Sequence, residues 1–504
     1  MWLTQGNLYT KVQRATDAEV EWLRSKDAGL TYANKKTLFS SGEVEKVRFF
    51  DLLESHFPSG FLPTVLKRAT DAGLKVELID ARTPPGAPPL PVDLKVEEAV
   101  ARLTGSSWLR DYQQAAVVAA YTKARGIIRV PTGGGKTEIA IGLVKQIPCR
   151  WLFLVHRKTL MEQAAQRYEL RCPDEEAGRV GEGRWKPRER FTVATFQTLA
   201  TAARNKDPGA RARLSAFLAG FQGVIIDECH VLPADSFWKV AMLLVNAYWR
   251  IGISGTPLDR EDQRSVYAVA ALGPIIYDIQ SKTLIDEGRL ALPIIRMVPV
   301  RQDFVEVDKD GLLKRWPWQK VYNEGVVRSL PRNRALLAAT AKAVKPCLVF
   351  VKEIAHGKAF QRALTKRGIK SEFVWGDASL RTRQAAVKRL VRADIEVLVT
   401  SVIFQEGVDI PELQSVVIAS GGKSLIAALQ RIGRGMRTAA GKSTFEVWDV
   451  ADDGNAWLRR HAKRRRHAYQ REKYPVTVVP LVISSEGGGG AGTQMALLSA
   501  GDQA

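Results

Sequence analysis

Eight residues, Val130 to Thr137, constrain this chain more than any others: they read V-P-T-G-G-G-K-T. The segment follows the apolar stretch Ile127–Val130 and precedes a helical pattern, as a strand–loop–helix phosphate site requires. Gly133, Gly134 and Gly135 leave the backbone N–H groups free to point at phosphate oxygens, and the helix that follows adds its positive N-terminal end. Pro131 and Thr132 belong to the same cradle. Lys136 would reach the β- and γ-phosphates, and the Thr137 hydroxyl would ligate Mg²⁺. The strict G-x-x-x-x-G-K-T pattern fails at its first position, where Val130 stands.

A second block completes the expectation of ATP with Mg²⁺. Gly223-Val-Ile-Ile-Asp227-Glu228-Cys229-His230 opens on an apolar run without alternation, the mark of a strand buried on both faces of a parallel sheet. Its carboxylates then emerge at the strand's C-terminal edge, where open α/β sheets bind ligands. Asp227 is the expected Mg²⁺ partner and Glu228 the group that orients or deprotonates the attacking water. Upstream, Leu109-Arg110-Asp111-Tyr112-Gln113 offers Gln113 as donor and acceptor to an adenine edge, with Arg110 beside it. A glutamine on a helix surface is the plain alternative. Far downstream, Gln430-Arg431-Ile432-Gly433-Arg434-Gly435-Met436-Arg437 gathers guanidinium groups in one turn. Arg434 and Arg437 are candidates for the planar cation that a γ-phosphate needs as charge spreads in its transition state.

Together these blocks resemble the motif series of the superfamily 2 helicases and nucleic-acid translocases. Phe153–Thr159 resembles motif Ia and Val193–Leu199 the next backbone-contacting block, while Gly252–Pro257 resembles motif III. Leu348–Val351 with His356 resembles motif IV, and Val399–Ser401 through Glu406–Pro411 resembles motif V. The resemblance covers residues 105 to 470 in family order. It is closer still to the UvsW-type and XPB-like members, through Leu109–Gln113, Gly181–Trp185 and the ending Asp449–Tyr469. Gly255 stands where alanine is common, and motif Ib is not evident.

The resemblance implies an α/β fold of two tandem RecA-like parallel-sheet lobes, a P-loop NTPase with ATP between them. Gly407, Asp409, Arg434 and Arg437 would approach from the second lobe. The implied strand contacts are His156, Arg157, Thr195, Gln197, Thr400 and Ser401. Ser254, Thr256 and Gln430 would couple ATP state to those contacts, although Ser254 and Thr256 also suit a simple strand-end turn. The implied activity is ATP-dependent unwinding or branch migration of DNA, with forked or branched DNA as partner. An RNA helicase, the motor of a restriction system and an ATP-gated nucleic-acid-binding scaffold are the alternatives.

Charge agrees with a polyanion partner. The chain carries 75 Lys and Arg against 53 Asp and Glu, a formal +22. Residues 1–82 hold 12 basic and 11 acidic side chains, so nearly all the excess lies beyond them. Four scattered cysteines (Cys149, Cys172, Cys229, Cys347) form no C-x-x-C, which excludes a zinc or disulfide framework and fits a reducing cytoplasm. No leader pattern and no uncharged 18-residue apolar run is present, so no membrane association is expected. Nothing in the sequence identifies a protein partner.

The Pro84–Pro91 stretch reads as a stiff linker. Residues 1–83 are therefore expected to form a small α+β domain, joined by a linker over 84–95. The first lobe is expected over 96–272, a connector over 273–289, the second lobe over 290–474 and a mostly disordered tail over 475–504. Tyr32, Lys35, Lys36 and Phe39 could make a nucleic-acid face or simply pack. Trp316-Pro317-Trp318 could be a strand-separating wedge or packing at the lobe junction. Arg459–Arg466 could contact phosphates or form a solvated basic face.

Overall fold

The structure, a computed structural model, describes residues 1–34, 45–82, 108–258, 264–302, 316–376, 378–401, 410–422, 433, 436 and 442–481. The Pro-rich linker, Lys35, Lys36, Phe39, Gly407, Asp409, Gln430, Arg434 and Arg437 lie outside these residues. The N-terminal unit is a four-stranded mixed sheet built from β1 (Trp2–Gln5), β2 (Tyr9–Gln13), β5 (His56–Pro58) and β6 (Glu77–Asp80). A separate hairpin pairs β3 (Thr31–Asn34) with β4 (Glu45–Arg48), and helices Asp17–Arg24 and Leu62–Asp71 cover the unit. Thr16 starts the first of these helices with a reciprocal cap to Glu19. The unit abuts the first lobe directly: Phe49 meets Trp238 and Tyr267 edge-on, and the Asn7 amide donates to the Val245 carbonyl.

The first lobe is an eight-stranded sheet in the order β10-β9-β11-β8-β12-β13-β7-β14. Its strands are β7 (Arg125–Arg129), β8 (Trp151–Val155), β9 (Gly178–Gly181), β10 (Arg184–Lys186), β11 (Phe191–Thr195), β12 (Gly223–Asp227), β13 (Trp249–Ser254) and β14 (Ile275–Asp278). β9 and β10 run antiparallel, and β7, β8, β11, β12, β13 and β14 are parallel to their neighbours. Every residue of β8 and β13 is buried, which is why these strands read as apolar runs without alternation. Trp151 and Trp249 fill the space between sheet and helices, each contributing about 4–6 kcal/mol by apolar burial. Arg250, alone among the charged residues of β13, is buried because its guanidinium caps the carbonyls of Ala241, Leu244 and Ala271.

The second lobe is a seven-stranded, all-parallel sheet in the order β17-β18-β16-β19-β20-β15-β21. It comprises β15 (Leu292–Arg301), β16 (Cys347–Phe350), β17 (Ser371–Val374), β18 (Val397–Thr400), β19 (Ser415–Ile418), β20 (Thr444–Asp453) and β21 (Val476–Val478). The two-sheet α/β architecture is as expected. Three details differ. The first sheet continues past residue 272, because β14 adds alongside β7 within the segment expected to be a connector. The second sheet reaches into the expected tail, where β21 pairs Val476 with Ile295. Trp316 and Trp318 pack within the second lobe, and Trp318 lies against Trp457 and His461. Their packing is within the second lobe and not at the lobe junction, because the Ala456–Arg471 helix supplies an apolar partner.

Candidate nucleotide site

The glycine loop leaves β7 and turns into the Lys136–Gln146 helix. Gly133 and Gly135 take φ of +90° and +80°, the left-handed region that side chains resist. A Cβ on Gly135 would also lie 2.3 Å from Nε2 of Gln113. Behind the loop, the Tyr112 hydroxyl and the Gln113 Nε2 both donate to the Gly134 carbonyl, at 2.9 and 3.2 Å. Gln113 Oε1 accepts from the Arg110 backbone N–H at 3.0 Å. Both ends of this buried amide are therefore spent on the loop and the helix start rather than turned to an adenine edge. Arg110 keeps an exposed guanidinium 3.5 Å from the Tyr112 hydroxyl. Tyr112, part of the quoted motif but assigned no role from the sequence, braces the loop.

At the end of β12 the chain turns sharply, with Glu228 at φ +49°. This strained turn aims Glu228 at the loop, where its Oε1 forms an ion pair with the Lys136 ammonium. Its Oε2 accepts from the Ser254 hydroxyl at 3.1 Å and lies 3.2 Å from His230 Nδ1. His230 Nδ1 is in turn 3.1 Å from Ser254 Oγ, and the Thr256 backbone N–H donates to the same hydroxyl at 3.2 Å. Ser254 and Thr256, expected to couple, thus contact the acid cluster through one hydroxyl. Asp227 stands beside them, its carboxyl pushed up to about 6 by burial and by the neighbouring Glu228 charge. Burial acts the same way on Glu228, but the Lys136 ammonium and His230 hold its carboxyl well below the usual range.

This donor set suits a divalent cation on a triphosphate. Asp227 is a half-buried carboxylate at the end of β12, under the charge of Lys136, with the Thr137 hydroxyl available from the neighbouring helix. Among the described residues no cluster of three or more His, Cys, Asp or Glu could hold a metal alone. A cation here would need phosphate oxygens to complete its shell.

The second lobe closes on this site. Pro131, Thr132, Glu228, Thr256, Gly433 and Met436 line one narrow cleft. Gly433 lies so close that a Cβ on it would sit 2.3 Å from Thr132 Cβ. The Met436 carbonyl accepts from the Ala291 N–H at 2.6 Å. Glu472 and Tyr474, not singled out from the sequence, also line this cleft.

The expected strand contacts divide. His156 and Arg157 follow β8, and Gln197 donates to the His156 carbonyl at 2.7 Å. Thr195, Thr400 and Ser401 are buried; the Thr195 hydroxyl meets Thr198 and the Thr400 hydroxyl the Ser401 carbonyl. The Thr195 and Thr400 hydroxyls are thus bonded at their own strand ends. Arg383 of the second lobe, missed from the sequence, is held by the carbonyls of Ala378 and Gly376. Its burial and the charge of Arg157 across the cleft both lower its pKa. His356 is buried with its pKa lowered to about 4 by burial, and pairs with Asn333 at 2.8 Å. The basic run near residue 460 splits by face: Arg459, Arg460, Lys463 and Arg464 are exposed, whereas His461 and Arg465 are buried.

Comparison with known proteins agrees with this geometry. Residues 106–259 match the family described as type III restriction enzyme, res subunit, and residues 331–439 match the helicase conserved C-terminal domain. Putative helicase 22 of Sulfolobus islandicus filamentous virus is 27% identical over 360 residues, 67% of this chain and 62% of that protein. The ATP-dependent DNA helicase uvsW of phage T4 is 24% identical over 366 residues, 68% of each chain. This chain therefore spans less than two thirds of the viral relative. Among solved structures, a fragment of a putative HsdR subunit of a type I restriction enzyme from Vibrio vulnificus shares the fold. Its TM-score is 0.53 at 21% identity, covering 88% of this chain and 77% of that one.

Proposed function

This chain belongs to the superfamily 2 helicases, and from that premise we propose that it is an ATP-driven DNA motor acting on forked or branched DNA. The observation that carries the proposal is the meeting of Lys136, Glu228, Ser254 and His230 directly beneath a loop that Gly433 of the second lobe touches. A γ-phosphate arriving at Lys136 competes with Glu228 for the ammonium and leaves that carboxylate to orient a water. The water's oxygen bonds to the γ-phosphorus as the bond to the β–γ bridging oxygen breaks, giving ADP and phosphate. Mg²⁺, held by Thr137 and Asp227, would neutralise charge on the phosphates. Ser254 and His230 hold the second oxygen of Glu228, so any shift of the Ser254–Thr256 turn re-aims the general base. Arg434 and Arg437 would enter with the Gly433 segment, and Gly407, Asp409 and Gln430 are assigned to the same face.

The strand would cross the C-terminal edges of both sheets, where Arg157 and Arg383 bring two cations near each other. A phosphate between them relieves that repulsion. The phage relative is named a DNA helicase and the viral one a helicase, which favours DNA over RNA. Among the described residues no helix is long and apolar enough to cross a membrane, and we assign the chain to the cytoplasm with its DNA.

The test compares ATP turnover with no polymer, single-stranded DNA, forked DNA and RNA. Forked DNA should stimulate most; stimulation by RNA alone overturns the choice of DNA. A restriction motor is the second reading, favoured by the res-subunit match and the HsdR fold. It requires a nuclease on another chain, and stimulation by unbranched duplex equal to that by forks would select it.

A further inference from the structure

The Ala456–Arg471 helix reads A-W-L-R-R-H-A-K-R-R-R-H-A-Y-Q-R and contains no acidic residue. Its period divides it into two faces. Leu458, His461, Ala462, Arg465, Ala468 and Tyr469 are buried. The one buried arginine is neutralised, since Arg465 grips Asp449 through Nε at 2.8 Å and Nη2 at 3.0 Å. Arg459, Arg460, Lys463, Arg464, Arg466 and Arg471 are exposed. At a rise of ~1.5 Å per residue, the row from Arg459 to Arg471 is about 18 Å long.

Water alone does not favour such a row. Arg459 with Lys463, and Arg460 with Arg464, stand at i, i+4, where like charges cost about 0.2–0.5 kcal/mol per pair. Elsewhere the chain neutralises its surface arginines: Arg179 and Arg184 share Glu162, and Arg167 and Arg171 share Glu138. On this helix Arg459 meets Asp453 and Arg471 lies 4.0 Å from Glu472, two acids that flank the helix. Among the described residues no ion pair reaches Arg460, Lys463 or Arg466. Arg460 lies over the Trp457 ring at 5.1 Å, and that ring also meets Trp318 and His461. The indole is occupied by a cation and by its own lobe, so the row presents charge rather than a stacking surface.

We propose that this row is a docking ridge for the backbone of duplex DNA, holding the unopened arm while one strand crosses the sheet edges. The inference rests on the reading of the chain as a DNA motor. Proteins that hold single strands combine cations with aromatic platforms for unstacked bases. A row offering cations alone suits a duplex, whose bases are turned inward and whose phosphates supply about ten charges over ~18 Å. The ridge lies beside the proposed strand path and not on it. The Leu380–Val391 helix that carries Arg383 covers the same face of the second sheet, with Leu390 and Tyr469 in one core.

The test combines Arg460→Gln, Lys463→Gln and Arg466→Gln in the full-length protein, which changes only exposed side chains and leaves Arg465 with Asp449. Equilibrium binding is measured against salt for blunt duplex, forked DNA and single-stranded DNA. Affinity for duplex and fork should fall roughly tenfold or more, and the slope of log K against log salt should flatten by about one per side chain. Affinity for single-stranded DNA should stay within about twofold. Equal losses on single and double strands, or an unchanged duplex affinity and slope, overturn the proposal. Arg460→Lys with Arg466→Lys keeps every charge and should bind duplex as the parent does; a loss as large as that of the glutamine variant also overturns it. The parent's ATP turnover with and without DNA is read separately. Stimulation of the parent with no duplex defect in the glutamine variant overturns the ridge and leaves the motor reading standing. A duplex defect in a protein that no DNA stimulates overturns the motor reading and leaves the ridge as a DNA contact.

Discussion

Two clusters of charge at strand ends serve opposite purposes. At the end of β12, Lys136 and Glu228 keep 15% and 13% of their side chains exposed, and the Lys136 charge acts on both Glu228 and Asp227. At the end of β20, Arg465, Asp449, Arg332 and Asp452 are sealed, and both carboxylates are gripped by guanidinium forks. In the first cluster the two carboxyls are pushed apart: burial and the Glu228 charge raise Asp227 to about 6, while Lys136 and His230 hold Glu228 well below the usual range. In the second, burial likewise pushes Asp452 up while Arg332 and Arg465 pull it down. The cluster beside the glycine loop keeps access to solvent, whereas the cluster on β20 is closed to it.

The largest effect that could break this contrast is on catalysis. Lys136→Ala should reduce ATP turnover below detection, while Glu228→Gln stops hydrolysis and binds ATP at least as tightly, because the competitor for Lys136 has lost its charge. Titration with a fluorescent ATP analogue checks this; weaker binding by Glu228→Gln would mean that the ion pair does not oppose the nucleotide. Next, Arg434→Ala should cost ~10³-fold in kcat, read from steady-state turnover, and a near-normal rate removes it from the transition state. In the sealed cluster, Arg465→Met should cost about 3–5 kcal/mol of stability by leaving Asp449 buried and unpaired. Lys136→Ala should cost far less, since its partner is partly solvated. Denaturant unfolding of the two variants ranks them.

The smallest effect is a pH dependence. Asp227 has its folded pKa raised from 3.8 to about 6, so its stabilising contribution is full below about pH 4 and is lost as pH rises through 6. In EDTA, Asp227→Asn should therefore gain Tm over the parent at pH 7 and lose that advantage at pH 4. An advantage independent of pH would mean that Asp227 does not titrate in this window.

Much of the first cluster was legible in the sequence because its residues are neighbours along the chain. Gly133–Thr137 and Asp227–His230 each sit at one strand end, and local pattern places them there. The partnership of Gln113 with the loop was not legible, since Tyr112 and Gln113 turn to the Gly134 carbonyl only once the Asp111–Lys123 helix has packed beneath it. The basic run Arg459–Arg466 reads as one face in the sequence, and only the packing of its helix on β20 decided that Arg465 faces Asp449 while Lys463 and Arg464 face solvent.

The chain order alone established buried strands, a glycine loop and an acid pair, because apolar runs, glycines and helix starts act on their immediate neighbours. Tertiary structure decided which distant groups meet: the Ser254 hydroxyl on Glu228, Arg465 on the Gly422 carbonyl, Gly433 against Thr132. Those pairings join residues from different strands and lobes, so they depend on sheet register and on which face is buried, quantities that no short stretch of sequence contains.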